Sequence, residues 1–277
     1  MDSRGRAIYT AAVRPQRHMG IIDSFRLDGK VSIITGCSSG LGPTLASGLA
    51  EAGSDLVVCA RRGSMLKSNA ERIAKETGRR VVPVVADVSR ESDVSRLVGE
   101  AVKEFGRLDV LVNNAGVSFL RPAEEMTGEE WLSVNRVNLD GVFYCSRDAA
   151  QVMKKDKRGG SIINIASSYG FSADILFPIV AYHASKAAVI NMTRALAVEW
   201  AKFGIRVNGI APGWVRTEMT EITLADKKKR DYIIQHTPMG RVGEASELNG
   251  ALLLLASDAG RFVTGTTLSV DGGWTAV

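Results

Sequence analysis

The chain has 277 residues, of which 45% are hydrophobic and 23% are charged, and these proportions exclude a chain that is disordered throughout. The formal net charge is +5, but the four arginines and one aspartate of residues 1–18 contribute +3 of it. The rest of the chain therefore lacks the basic excess of a nucleic-acid-binding protein, and no nucleic-acid partner is expected.

Residues 1–26 are predicted to be an N-terminal extension that is partly disordered. Residues 1–18 are rich in arginine and poor in acidic residues, a composition that transit peptides share. A disordered tail, or a true start of translation at Met19, fits the segment better. The extension is therefore left out of the fold prediction.

From Lys30 onward, short runs rich in β-branched residues alternate with longer helical patterns. Most of these runs are continuously apolar, as strands are when both faces of a parallel sheet are buried. The alternation predicts an α/β fold, a single Rossmann-like doubly wound parallel sheet with helices on both faces. The predicted strands are Val31–Thr35, Leu56–Cys59, Val81–Val85, Val110–Asn113, Ser161–Ile165, Arg206–Ile210 and Thr267–Val270. The predicted helices are Thr44–Ala52, Gly63–Thr77, Ser92–Phe105, Glu129–Lys154, Ala181–Phe203 and Glu244–Ala256.

No linker or change of composition divides residues 27–277, which are predicted to form one domain. The longest stretch without an obvious strand is residues 212–241, after a late strand. Long insertions at the carboxyl edge of such a sheet commonly cover a ligand, so this stretch is predicted to be a substrate lid.

A glycine-rich turn follows the first predicted strand directly, and a helix begins after it. Glycines permit a tight turn and let a pyrophosphate approach the backbone, while the helix N-terminus offers free N–H groups. The turn therefore indicates nucleotide binding, although an ordinary tight loop between strand and helix is the alternative. Its candidate binding residues are Gly36, Ser38, Ser39, Gly40, Leu41 and Gly42.

The end of the second predicted strand carries the signal for the choice of cofactor. Ala60 occupies the place where an acidic residue would bind the adenosine ribose of NAD. Arg61 and Arg62 follow, and the planar guanidinium group suits the 2′-phosphate of NADP. NADP(H) is therefore the favoured cofactor and NAD(H) the alternative, while two solvent-facing arginines at a strand end are the non-functional interpretation.

Tyr182 and Lys186 carry the strongest indication of chemistry, since residues at i and i+4 share one face of a helix. A free tyrosine has a pKa of about 10, which is too high for a base at neutral pH. A nearby ammonium group and an oxidised nicotinamide ring both favour the phenolate. The pair can therefore move a proton while a nicotinamide cofactor moves a hydride.

Polar residues also follow the other predicted strands. Ser167 is placed to face the cofactor and to hydrogen-bond the reacting oxygen. Asp87 and Val88 end the third strand, near the expected adenine. Asn138 lies in a predicted helix, from which it is expected to relay protons through water towards Lys186.

Over residues 27–277 the chain resembles the classical short-chain dehydrogenase/reductase family, through the motifs Thr35–Gly42, Asp87, Asn113–Gly116, Asn138, Ser167, Tyr182, Lys186 and Pro212-Gly213. The resemblance implies a catalytic tetrad of Asn138, Ser167, Tyr182 and Lys186 and hydride transfer between NADP(H) and a carbonyl or secondary alcohol. It further implies a nicotinamide-holding segment after Pro212-Gly213. The remaining cofactor-binding residues that it implies are Asn114, Ala115, Gly116, Tyr182, Lys186, Pro212, Gly213, Val215 and Thr217.

The sequence departs from the family pattern at three places. Many relatives that use NADP carry a basic residue inside the glycine turn, where this chain has Ser38 and Ser39. Ser168 stands beside the predicted catalytic Ser167. The stretch from there to the tyrosine is also longer than usual, and it carries the apolar run Ile175–Phe177, which is expected to reshape one wall of the substrate pocket.

The substrate stays open at this stage. The basic run Lys227–Arg230 is either a solvated helix face or a dock for an anionic carrier, as in 3-oxoacyl-carrier-protein reductases. The opening Ile22–Lys30 instead resembles that of sugar-acid dehydrogenases, so sugar acids and polyols are the other substrate class. A non-catalytic cofactor sensor or scaffold on the same fold is the alternative from another functional class.

Cys37, Cys59 and Cys145 are widely spaced and do not match a zinc site, which favours a reducing cytoplasm without a bound metal. No apolar run approaches the roughly 18 residues that span a membrane, so no membrane association is expected. The family resemblance implies a homotetramer, or a homodimer, in which helices near Glu129–Lys154 and Ala181–Phe203 pair across subunits.

Overall fold

The computed structural model describes residues 20–277, in which seven strands form one sheet. The strands lie in the order β3-β2-β1-β4-β5-β6-β7, and every neighbouring pair is parallel. Each predicted strand overlaps an observed one, so the predicted α/β fold is confirmed. The strands are β1 (Val31–Thr35), β2 (Asp55–Ala60), β3 (Val81–Val85), β4 (Val110–Asn113), β5 (Gly160–Ile165), β6 (Ile205–Pro212) and β7 (Thr267–Val270).

The helices differ from the prediction in three places. The helix predicted over Glu244–Ala256 is a 3-10 turn, Ala245–Leu248, followed by an α-helix that begins at Asn249. The single helix predicted over Glu129–Lys154 is two helices joined by one π-helical turn, Arg136–Asp140. Residues 212–241 contain two helices that were not predicted, Glu218–Ala225 and Lys227–His236, because both are short and their apolar residues do not recur with a helical period. The helices are α1 (Leu41–Glu51), α2 (Gly63–Thr77), α3 (Glu91–Phe105), α4 (Gly128–Asn135), α5 (Gly141–Asp156), α6 (Val180–Trp200), α7 (Glu218–Ala225), α8 (Lys227–His236) and α9 (Asn249–Ala256).

Apolar cores lie on both faces of the sheet, because successive residues of a strand point to opposite sides. On β1, Ile34 packs towards α1, α2 and α9, whereas its neighbour Ile33 packs towards α3, α5 and α6. Both side chains are fully buried. This two-sided burial explains why the strands read as continuous apolar runs in the sequence.

A third apolar cluster lies beyond the sheet and joins the lid region to the longer segment before α6. Leu224 of α7 and Ile233 of α8 are buried against Tyr169, Phe177 and other aromatic residues. The helices at 217–236 thus pack over the segment that leads to Tyr182. The assignment of residues 212–241 as a substrate lid stays a prediction.

At the amino end, Asp23–Phe25 form a 3-10 turn and the side chain of Leu27 is buried against the core. Residues 1–19 of the predicted extension, which include Met19, lie outside the described residues. Among residues 20–277, no helix has both the length and the apolar character to cross a membrane.

Candidate active site

A cavity of about 480 Å³ runs along the carboxyl ends of the strands. It lies where the strand order reverses between β1 and β4, the usual ligand position in an open doubly wound sheet. With the exception of Gly42, every predicted cofactor-binding residue lines this cavity, and so do Ser167, Tyr182 and Lys186. The structure therefore brings the predicted site residues to one place.

The glycine turn between β1 and α1 is built so tightly that side chains do not fit. Gly36 has a φ of +77°, and a Cβ there would lie 2.9 Å from the Cα of Ala115. A Cβ on Gly42 would lie 2.3 Å from the carbonyl oxygen of Gly36. Gly40 precedes α1 and gives its N-terminus no side-chain cap. The N–H groups of the first turn of α1 are therefore open. Together with the backbone of the glycine turn they form a cradle that suits a pyrophosphate.

We expect Gly42→Ala to weaken NADPH and NADH binding at least about tenfold, because the added methyl group forces the backbone of the turn apart. Cofactor fluorescence titration measures the effect. Gly99→Ala is the matched control, since it lies within α3 with no atom within 4 Å of the new Cβ. The control should keep its cofactor affinity and gain about 0.5–1 kcal/mol of stability. Equal affinities in the two variants would contradict the steric role of Gly42.

The two arginines after β2 differ in their surroundings. Arg61 is exposed, and its side chain has no hydrogen bond or ion pair with another residue of the described range 20–277. The guanidinium of Arg62 donates from Nε to Ser38 Oγ at 3.2 Å, and also to Ser39 Oγ. It further pairs with Glu218 at 3.3 Å. Of these two arginines, Arg61 is thus the one without a partner among residues 20–277.

The ends of β1 and β4 are tied together beside the glycine turn. Thr35 Oγ1 accepts hydrogen bonds from the backbone N–H of Asn114 at 3.0 Å and of Ala115 at 2.9 Å. Asn114 Nδ2 donates to the carbonyl oxygen of Thr35 at 2.8 Å. The Asn114 side chain is therefore occupied in holding the floor of the cavity.

The neighbouring strand ends complete the cavity. After β3, the carboxylate of Asp87 accepts bonds from the N–H and the hydroxyl of Ser89. After β6, Gly213 packs so closely that a Cβ there would lie 2.7 Å from the Cα of Asp271. Thr217 caps α7 by accepting a bond from the N–H of Thr220 at 3.3 Å. Val88, Pro212 and Val215 line the wall between them.

Asn138 lies behind the cavity, fully buried in the π-helical turn between α4 and α5. Its Oδ1 accepts from the N–H of Val117 at 2.8 Å, and its Nδ2 donates to the Val117 carbonyl at 2.9 Å and to Ser185 Oγ at 3.1 Å. A Cβ on Gly116 would lie 3.5 Å from Asn138 Oδ1 and 3.6 Å from Lys186 Nζ. The amide thus fixes the loop after β4 against α6, and the proton relay stays a prediction.

Tyr182 and Lys186 lie on one face of α6 and are held differently. Lys186 is buried, its Nζ donates to the carbonyl oxygen of Ile165 at 2.7 Å, and burial lowers its pKa to about 8. Burial raises the pKa of Tyr182, while a hydrogen bond with Ser167 lowers it in part. The Lys186 Nζ is 5.5 Å from the centroid of the Tyr182 ring.

In the protein alone, burial raises the pKa of Tyr182 above its ordinary value, and the expectation that Lys186 lowers this pKa stays a prediction. Desolvation is the largest cause of both pKa shifts, and it disfavours the charged form of each group. Tyr182 is accordingly a phenol at neutral pH, ready to donate a proton. A base at this position needs further positive charge next to it.

The choice between the two adjacent serines is supported by their positions. Ser167 lines the cavity and is a hydrogen-bond partner of Tyr182. Its Oγ also accepts a bond from the N–H of Tyr169 at 3.2 Å. Ser168 is buried and is absent from the cavity lining. Ser167 is thus the serine in a position to contact a substrate oxygen.

Several residues at or near the site were not predicted from the sequence. Asp174 accepts a hydrogen bond from the Tyr169 hydroxyl and bonds from the N–H groups of Leu176 and Phe177, and so shapes the longer segment before α6. The spacing of Thr217 and Thr220 is a helix-cap signal, but no local pattern identifies Asp174. Further cavity residues that were not predicted are Cys59, Ala86, Val117, Val137, Ile165, Ala166 and Thr220.

Comparison with known proteins agrees with the site. A protein-family model described as enoyl-(acyl carrier protein) reductase matches residues 36–275. The chain belongs to the short-chain dehydrogenase/reductase family. The solved structure of a short-chain type dehydrogenase/reductase from Mycobacterium marinum is similar to it with a TM-score of 0.89 and 37% identity, covering 93% of this chain and 100% of that chain. The predicted family and fold are confirmed.

Several relatives of this dehydrogenase are named as dehydrogenases of gluconate or of a deoxygluconate. It is 44% identical over 258 residues to the 2-dehydro-3-deoxy-D-gluconate 5-dehydrogenase of Dickeya dadantii, covering 92% of this chain and 99% of that protein. It is 39% identical, with a TM-score of 0.88, to the structure of a gluconate 5-dehydrogenase from Burkholderia cenocepacia in complex with NADP and tartrate, covering 93% of this chain and 100% of that chain. This dehydrogenase is accordingly an NAD(P)-dependent oxidoreductase that acts on CH–OH or C=O groups.

Proposed function

We propose that this dehydrogenase transfers a hydride between NADP(H) and a carbonyl or secondary alcohol group of a sugar acid or polyol. The observation that carries the proposal is the arrangement of Ser167, Tyr182 and Lys186 in the same cavity as the glycine turn and Arg61. A bound nicotinamide supplies the carbon atom that gives or accepts the hydride. All other steps fall to side chains of the protein.

In the direction of reduction, the Tyr182 hydroxyl donates its proton to the alkoxide oxygen, and in oxidation the phenolate takes the proton from the alcohol. The hydroxyl of Ser167 donates a hydrogen bond to the same oxygen and stabilises its developing charge. The Lys186 ammonium uses one N–H on the Ile165 carbonyl and keeps two for other acceptors, and its charge favours the phenolate. Asn138 keeps the loop beside these groups in place.

Sugar acids and polyols are favoured over carrier-bound oxoacyl groups for two reasons. The relatives include a gluconate 5-dehydrogenase from Gluconobacter oxydans at 37% identity and a galactitol 2-dehydrogenase from Cereibacter sphaeroides at 39%. The run Lys227–Arg230, the candidate carrier dock, forms the first turn of α8, where Lys227 pairs with Asp231 at 2.8 Å. These contacts support a solvated helix face.

A turnover screen that follows NADPH and NADH absorbance tests the function. The substrates are keto-sugar acids, ketoses, oxoacyl thioesters and simple ketones, with the matching alcohols for the reverse direction. Strong NADPH oxidation with a keto-sugar acid or a ketose supports the proposal. Exclusive use of oxoacyl thioesters would contradict the substrate class, and cofactor binding without any turnover would favour a cofactor sensor on the same fold.

NADP preference is proposed to depend on Arg61, the arginine without a protein partner at the cofactor cavity. We expect Arg61→Ala to raise the Kd for NADPH about 10- to 100-fold and to leave the Kd for NADH nearly unchanged, because only NADPH carries the 2′-phosphate. Competition titration measures both constants. Arg72→Ala, at an exposed arginine of α2 that pairs with Glu76, is the control. An equal loss for both cofactors would contradict this role of Arg61.

We further propose that residues 27–277 form the catalytic domain and that 212–241 cover the substrate. The packing of Leu224 and Ile233 over the segment before Tyr182 supports a lid. A homotetramer is proposed, in agreement with the exposed apolar side chains of Phe143 on α5 and Val198 on α6. The free thiols of all three cysteines agree with a cytoplasmic location.

A further inference from the structure

An ion pair at the cavity joins two parts of the chain that are far apart in the sequence. Arg62 follows β2, and Glu218 is the first residue of α7, 156 positions further along the chain. The guanidinium contacts both carboxylate oxygens, from Nη1 to Oε1 at 3.3 Å and from Nη2 to Oε2 at 3.4 Å. The contact is therefore two-pronged, although both side chains are about half exposed.

The same guanidinium is anchored to the glycine turn. Its Nε donates to Ser38 Oγ at 3.2 Å, and its Nη2 donates to Ser39 Oγ. Hydrogen bonding to Ser39 and the charge of Arg62 together lower the pKa of Glu218, so its carboxylate stays ionised at neutral pH. All three nitrogens of Arg62 thus have protein partners, in contrast to Arg61.

Arg62 and Glu218 belong to two different segments of the chain that line the cavity. Ser38, Ser39 and Arg62 line the cavity, and so do Thr217 and Met219, which flank Glu218. The ion pair therefore connects two separate segments of the wall of the cavity in which a dinucleotide is expected to lie. An extended ligand that lies beneath such a connection leaves only after it opens.

We propose that Arg62 and Glu218 form a clasp over the bound dinucleotide that slows its release, while Arg61 alone binds the 2′-phosphate. The inference rests on the proposed function, because it takes the cavity to be the cofactor site. An exposed ion pair adds little to the stability of a fold, so its effect is expected on the dissociation rate of the cofactor. The clasp uses no group that distinguishes NADPH from NADH, and it should slow the release of both.

Stopped-flow measurement of cofactor release from the full chain tests the clasp. Protein loaded with NADPH or NADH is mixed with excess NADP⁺ or NAD⁺, and the decay of nicotinamide fluorescence gives the dissociation rate. We expect Glu218→Gln to release both cofactors about three- to fivefold faster than wild type, the upper range for an exposed pair. The difference should shrink in 1 M salt, which screens the ion pair. Glu76→Gln, which removes the exposed Arg72–Glu76 pair of α2, is the control and should release at the wild-type rate.

A double mutant then tests whether Arg62 is the residue through which Glu218 slows cofactor release. If Arg62 acts through Glu218, the variant Arg62→Gln/Glu218→Gln should release no faster than the faster of the two single variants. Unchanged release in Glu218→Gln, with tight binding retained, would overturn the clasp but leave the proposed function standing. Tighter binding of NADPH alone in Glu218→Gln would also overturn it, since Arg62 would then be the phosphate ligand. Wild-type protein that binds neither cofactor would overturn the proposed function and the clasp together.

Discussion

Tyr182→Phe should lower kcat by about 10²- to 10⁴-fold in both directions, the usual contribution of a positioned acid or base. The substitution removes only the hydroxyl, the group whose pKa Ser167 lowers in part and which is proposed to exchange the proton. The ring keeps its packing in the cluster with Phe177 and Trp214. The Kd for NADPH should therefore stay within about twofold of wild type. Steady-state kinetics and cofactor titration on the same preparation measure the two quantities.

Tyr169→Phe is the matched control, because it removes another tyrosine hydroxyl from the same cluster. That hydroxyl donates to Asp174, and burial together with this carboxylate raises its pKa far above the ordinary value. The Tyr169 hydroxyl is thus fixed as a neutral donor, and its loss should change KM more than kcat. Turnover of Tyr182→Phe at the level of Tyr169→Phe would refute the assignment of Tyr182.

The raised pKa of Tyr182 predicts how kcat/KM for reduction and for oxidation depends on pH. A phenol that is protonated at neutral pH can donate at once, so kcat/KM for reduction should be flat across neutral pH. Oxidation requires the phenolate in the free protein, and its kcat/KM should rise as the pH becomes alkaline. Burial produces the raised pKa, and added positive charge near the ring would counteract it.

The fold and the centre of the site were predictable because local patterns encode them. Adjacent residues such as Ile33 and Ile34 are buried on opposite faces, which makes a parallel strand recognisable from its composition alone. Tyr182 and Lys186 are one helical turn apart, so their proximity follows from the helix itself. The glycines of the turn mark positions that admit no Cβ, as Gly42 illustrates.

Features that depend on distant contacts were not predictable. Glu218 lies 156 positions from Arg62, and nothing in either neighbourhood indicates that they meet. The π-helical turn around Asn138 adds one residue to a helical pattern, which the apolar periodicity does not register. The pKa of Tyr182 depends on how deeply α6 is buried, a quantity that only the packed structure supplies. Long-range polar contacts and desolvation therefore account for most of the missed detail.

Lys186→Met should abolish turnover and remove a pH dependence of stability that wild type shows. The ammonium is buried, and its pKa falls from 10.5 to about 8, which corresponds to about 3 kcal/mol of stability lost while it is charged. Below pH 8 the lysine is charged in the folded and the unfolded state, and this cost is complete. Between pH 8 and 10.5 the folded protein loses the proton first, so wild type becomes more stable relative to the variant.

The measurement compares urea unfolding of both proteins from pH 7 to pH 10. The free energy of unfolding of wild type should rise, relative to Lys186→Met, by about 2–3 kcal/mol over this range. Loss of the hydrogen bond to the Ile165 carbonyl lowers the free energy of unfolding of the variant by an amount that does not depend on pH. The test is therefore how the difference in unfolding free energy between wild type and variant changes with pH. Lys67→Met, at an exposed lysine of α2, controls for removal of a surface charge and should run parallel to wild type. Parallel curves for Lys186→Met would show that the lysine is not desolvated in the folded protein, and its charge would then be available to the phenolate at all working pH values.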